Sequence, residues 1–145
     1  MLADQASSSI TINAGPDAVL AVIRDVEQYP TWTNGISKAV VVEPGKDGPA
    51  RVTFTMTQSG LSDEYTLVYD WQADGVSWTL VEPSKLQKSQ HGSYRLSGDG
   101  VVTTVVYLLT MDIKMPMIGL MRRKAEKIII DTALKELKKR VESLG

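Results

Sequence analysis

Cysteine is absent from the 145-residue chain, which excludes disulfides, thiolate nucleophiles and cysteine-ligated metals. Histidine occurs once, as His91. A lone imidazole with no carboxylate at ligand spacing makes a poor metal site, and as a general base it lacks a visible orienting partner. No metal, no cofactor and no catalytic residue is therefore expected. No run approaches the roughly 18 consecutive apolar residues of a membrane span. Met1 to Ser9 has neither the basic nor the apolar region of a signal peptide, so a cytoplasmic location is expected. Gly45-Lys46 lacks the second glycine and the Ser or Thr after lysine that a phosphate loop requires, and reads as a hairpin turn.

What the chain does have is an uneven charge. The net charge is −1, yet from Lys114 onward nine Lys and Arg face four Asp and Glu, leaving the earlier part acidic. A basic helix with no recognised reading motif does not point to nucleic acid. Arg122-Arg123-Lys124 follows the methionine-rich stretch Met115 to Met121, and cations beside apolar residues suit transient contact with an anionic membrane. The competing reading is a solvated helix face. Oligomeric state is not legible.

The hydrophobic pattern divides the chain into a strand, a helix, many strands and a long helix, all within one domain over 1–145. Ala6, Ser8, Ile10 and Ile12 alternate with polar residues, as a half-buried strand does. Gly15-Pro16-Asp17 opens a helix whose apolar face is Val19, Leu20, Val22, Ile23 and Val26, and Tyr29-Pro30 is expected to close it. Strands are predicted near 36–43, 50–58, 62–73, 75–82, 86–97 and 100–113. Short links such as Asp74-Gly75 and Gly98-Asp99-Gly100 favour antiparallel hairpins. Val52, Phe54 and Met56 share one face, as do Tyr65, Leu67, Tyr69 and Trp71, and again Val76, Trp78 and Leu80. In the last strand both faces are apolar. From Pro116 to about Leu144 apolar residues recur at three and four, through Ile118, Met121, Ala125, Ile129, Ala133, Leu137, Val141 and Leu144, with Ile128, Ile130 and Leu134 widening the stripe. A helix about 40 Å long laid across a bent sheet cannot touch it everywhere, and the gap between them is where a ligand would sit.

Three stretches carry a family resemblance: Ile10-Thr11-Ile12-Asn13-Ala14, then Pro16-Asp17-Ala18-Val19, then Asp25-Val26-Glu27-Gln28-Tyr29-Pro30-Thr31-Trp32. Gly92-Ser93-Tyr94-Arg95-Leu96 and Thr104-Val105-Val106-Tyr107-Leu108 continue it. The chain resembles the START-like (SRPBCC) superfamily, and within it the bacterial polyketide cyclase/dehydrase-type group. The resemblance implies an α+β helix-grip fold: a curved antiparallel sheet of about seven strands around a long C-terminal helix, with two short helices after the first strand. Members of the superfamily include lipid carriers, quinone-binding proteins, hormone receptors and aromatase/cyclases, so fold alone does not choose a function.

The expected ligand-binding residues are Trp32, Phe54, Met56, Tyr65, Leu67, Tyr69, Trp78, Tyr94, Tyr107, Ile118, Met121, Ala125 and Ile129. Several inward tyrosines point to a cavity holding polar groups as well as apolar surface, since a buried hydroxyl needs a partner. Binding of a lipid or other hydrophobic small molecule, without catalysis, is the expectation. The alternative is a polyketide aromatase/cyclase or dehydratase acting by general acid–base catalysis. In such enzymes the family uses a buried Arg with Tyr or Ser, whereas Arg51 and Arg95 alternate away from the inward set.

Overall fold

The computed structural model describes residues 5–58, 60–114 and 119–145. Strand β1 (Ala6–Ile12) leads into helix α1 (Pro16–Arg24), a 3-10 turn (Val26–Gln28) and the four-residue helix α2 (Tyr29–Trp32). Six strands follow, β2 (Ile36–Glu43), β3 (Arg51–Gln58), β4 (Leu61–Gln72), β5 (Gly75–Leu80), β6 (Gln87–Gly98) and β7 (Thr103–Ile113), and then helix α3 (Gly119–Leu144). The strands form one antiparallel sheet in the order β1-β7-β6-β5-β4-β3-β2. This is the helix-grip arrangement expected from the sequence.

Local chemistry explains the elements. Pro16 sits in the first turn of α1, where its missing N–H is not needed, and Asp17 complements the positive end of the helix dipole. Val19, Leu20, Val22, Ile23 and Val26 are buried, as their spacing predicts. Pro30 behaves differently from expectation. It does not close α1, which ends at Arg24; it lies in the first turn of α2, a position that again requires no N–H.

In β7 the inner face is Thr103, Val105, Tyr107 and Leu109, while the alternate residues are half-buried. Val106 and Leu108 on the other face give the strand its second apolar side. Helix α3 packs on β1, β7 and α1. Its buried side chains are Glu126, Ile130, Leu134, Leu137 and Val141, whereas Met121, Ile128, Ile129 and Leu144 are exposed. The expected line through Met121, Ala125 and Ile129 is thus rotated off the core. Steps of four overshoot a full turn by roughly 40°, so such a line drifts around the helix.

The C-terminal half of α3 is tied to the start of the chain. Glu142 Oε2 accepts the Asn13 N–H at 2.9 Å and pairs with Lys138 at 2.7 Å. These bonds hold the Glu142 carboxyl below its ordinary value of 4.5. Among the described residues no helix is long and apolar enough to cross a membrane.

Candidate functional site

Between α3 and the concave face of the sheet lies a cavity of about 300 Å³. Eight of the nine aromatic side chains line it: Tyr29, Trp32, Phe54, Tyr65, Tyr69, Trp78, Tyr94 and Tyr107. The rings form two contact clusters, one around Tyr29, Phe54 and Tyr65 and one around Trp78. Tyr29 stacks on Phe54 at 5.9 Å and Phe54 meets Tyr65 at 5.8 Å. Across the sheet Trp78 touches Tyr69, Tyr94 and Tyr107, and Tyr94 meets Tyr107 at 4.7 Å. Edge-to-face and offset ring pairs of this kind stabilise a wall beyond the area they bury. The ninth aromatic, Trp71, closes the array from outside the cavity. It stacks on Tyr69, donates to the Pro49 carbonyl at 2.8 Å and carries the Arg24 guanidinium over its ring.

The expected residues Trp32, Phe54, Met56, Tyr65, Leu67, Tyr69, Trp78, Tyr94, Tyr107 and Ile129 all stand on the cavity wall. Ile118 lies outside the described residues, as does most of the methionine-rich stretch Met115 to Met121. Met121 is 53% exposed and Ala125 half-buried, and neither lines the cavity. The helix contributes Ile128, Ile129, Thr132, Ala133 and Glu136 instead. Arg123 and Lys124 are exposed and Arg122 is half-buried. The lining residues that also meet solvent are Asn34, Gln58, Ile128, Ile129 and Thr132, which places the mouth between the loop after α2, the β3–β4 hairpin and α3. There the Asn34 N–H donates to Glu136 Oε2 at 2.8 Å, tying that loop to the helix.

The sequence reading missed the polar part of the wall. Trp78 Nε1 donates to Gln90 Oε1 at 2.9 Å, and Gln90 Nε2 donates to Gln87 Oε1 at 2.6 Å. Gln87 and Gln90 are 3% and 8% exposed. Strict alternation would put residues three apart on opposite faces. A register shift between Gln87 and Ser89 in the β6–β7 ladder inserts one residue, and both glutamines then face inward. Behind them Asp63, also buried, accepts the Ser84 hydroxyl at 2.7 Å and the Lys85 N–H at 3.1 Å. Ser84 Oγ in turn accepts the Gln87 N–H at 3.1 Å, so Asp63 fixes the turn that carries Gln87.

Burial pushes all five tyrosine hydroxyls well above their ordinary value of 10, and the crowding of ionisable neighbours, chiefly other tyrosines, adds to it. They are neutral groups that donate and accept, rather than bases. Tyr29 donates to the Ile23 carbonyl. Glu136 is the one carboxylate among the lining residues, and burial raises it while the Asn34 N–H opposes the rise. His91, Arg51 and Arg95 are not on the wall. His91 is exposed and meets Thr79, Arg51 pairs with Glu43, and Arg95 pairs with Asp74 and donates to Gln72. Among the described residues no group of three or more His, Cys, Asp or Glu could hold a metal ion.

Curved sheet, long helix and the solvent-open, ring-lined cavity between them define a helix-grip domain. The chain belongs to the family described as polyketide cyclase / dehydrase and lipid transport, whose pattern it matches over residues 4–142. Among solved structures, a START superfamily protein from Mycobacterium smegmatis superposes with a TM-score of 0.89 at 20% identity, covering 97% of this chain and 99% of that one. The Zhui aromatase/cyclase from Streptomyces sp. R1128 gives 0.80 at 16% identity, covering 96% and 93%. A protein from Thermus thermophilus gives 0.82 at 19% identity, covering 98% and 99%. A search of curated proteins found no match. At these identities the likeness is one of fold.

Proposed function

We propose that this protein binds one compact, ring-containing hydrophobic molecule and does not transform it. The observation that carries the reading is a ring-lined cavity of about 300 Å³. A cavity of about 150 Å³ accepts benzene, so twice that volume suits two or three fused rings. It lies at the lower end of the range for drug-sized ligands, too small for a two-chain lipid. The wall supports binding over acid–base chemistry. Its tyrosines are held protonated, and the arginines and histidine that could polarise a carbonyl stand elsewhere.

Native mass spectrometry of protein purified from its own host tests the reading. A single retained compound of ring-system size supports it, and a protein that takes up neither a host compound nor an added fused-ring probe overturns it. The alternative reading, an aromatase/cyclase, takes over if the protein turns over an aromatic polyketide substrate.

A further inference from the structure

The direction of the hydrogen bonds in the cavity wall follows from one residue. The indole N–H of Trp78 can only donate. Its partner on Gln90 must therefore be the amide oxygen, which leaves the Gln90 nitrogen as the donor to Gln87. That in turn makes the Gln87 contact atom its oxygen and places its NH₂ group at the end of the relay. Side-chain amides are usually ambiguous end for end, but here a donor-only neighbour removes the ambiguity.

Gln87 is 3% exposed and lines the cavity, yet no protein group among the described residues receives its Nε2 hydrogens. Its nitrogen is also not among the atoms sealed from all accessible space. Because Gln87 lines the cavity, its free amide N–H bonds are available to a guest there. Asp63 and Ser84 hold the backbone of this residue, so the donor has a fixed position. A guest with no acceptor at this point would strip water from the donor at a cost of about 1–3 kcal/mol, whereas a carbonyl oxygen would replace it.

We infer that Trp78, Gln90 and Gln87 form a hydrogen-bond-donating subsite, and that it selects ring molecules carrying a carbonyl-type acceptor oxygen. Gln87 is the contacting residue, and Trp78 and Gln90 are positioning residues that set its amide. The inference rests on the reading that the cavity takes a fused-ring molecule. It adds the polarity that the ligand must have and the place where that polarity is read.

Three isosteric probes test it: fluorene, 9-fluorenone and carbazole, which present a CH₂, a C=O and an N–H at one position. In the unmodified protein, 9-fluorenone should bind about five- to tenfold more tightly than fluorene, the worth of one net hydrogen bond. Carbazole should gain nothing over fluorene. In Gln87→Met the ratio of 9-fluorenone to fluorene affinity should shrink to within about twofold, whatever the change in fluorene affinity itself. The carbonyl stretch of bound 9-fluorenone should move to lower frequency than in an alkane solvent, a measurement that needs no variant. Equal binding of fluorene and 9-fluorenone overturns the subsite while leaving the cavity reading intact. So does carbazole binding as tightly as 9-fluorenone, an unshifted carbonyl band, or a preference that survives in Gln87→Met. Binding of none of the three overturns the cavity reading, and the subsite with it.

Discussion

Gly92 stands opposite Trp78 in the β5–β6 ladder, and a Cβ built on it would come within 2.4 Å of the indole. The glycine is there for space: the ring of Trp78 lies against the β6 backbone where any side chain would be. Gly92→Ala should displace the indole from Gln90 and destabilise the fold by about 1–3 kcal/mol, the usual cost of overpacking. Denaturant midpoints and the near-ultraviolet circular dichroism of the tryptophans check this. An unchanged midpoint with an unchanged spectrum would mean that the ring has room to move.

The three tryptophans report on different places. Trp32 and Trp78 line the cavity, and Trp71 is held outside it by Pro49 and Tyr69. A saturated bicyclic probe such as decalin, which does not absorb with tryptophan, should shift the emission maximum of a variant that keeps only Trp32 or only Trp78. The variant that keeps only Trp71 should not respond. A response from Trp71 alone would put the bound molecule elsewhere.

Two glutamates give stability profiles of opposite sign. Glu126 is 2% exposed; its Oε2 accepts the Met111 N–H at 2.7 Å, and its Oε1 has no partner among the described residues. Burial raises its carboxyl above the ordinary 4.5, against the Met111 bond and the charges of Arg122 and Arg123. The folded state then holds its proton more tightly than the unfolded chain, so ionisation penalises folding as pH rises through the raised value. Relative to Glu126→Gln, the unmodified protein should lose melting temperature as pH rises above the ordinary carboxylate value of 4.5 towards the raised one. Glu142 is lowered, so its contribution is present above 4.5 and fades as pH falls through the lowered value. Glu142→Gln should be the less stable protein at neutral pH and converge on the unmodified one in acid. Parallel melting curves for either pair would sink the corresponding assignment.

The contact between Asn34 and Glu136 bridges the cavity mouth. Glu136→Ala should free the loop after α2 and speed both entry and exit of a bound probe several-fold, because the lost contact bridges the opening. Stopped-flow displacement reads both rates. Unchanged rates would place the gate at another part of the rim.

The aromatic wall is legible in the amino-acid pattern alone. Phe54 and Met56, Tyr65 to Tyr69, and Trp78 alternate regularly, and their strands run without interruption where they line the cavity, so a period of two is enough to assign the inward face. The same rule fails at Gln87 and Gln90, where one inserted residue breaks the period; it does put Asp63 in phase with Tyr65 and Leu67, but not the Ser84 and Lys85 donors that let a carboxylate be buried there. Along α3 the periodicity identifies a helix but not its rotation. The residues that meet the sheet are Ile130, Leu134, Leu137 and Val141, and those that meet the cavity lie beside them at Ile129, Ala133 and Glu136.

By itself, then, the sequence determined the element order, the antiparallel pairing and the aromatic character of the concave face, because these depend on local periodicity and turn chemistry. Only the tertiary structure decided that the cavity is about 300 Å³ and that one wall is a donor relay ending at Gln87. Those properties arise from contacts between residues far apart in the chain and from one bulge that shifts the register of a strand, and neither leaves a periodic trace.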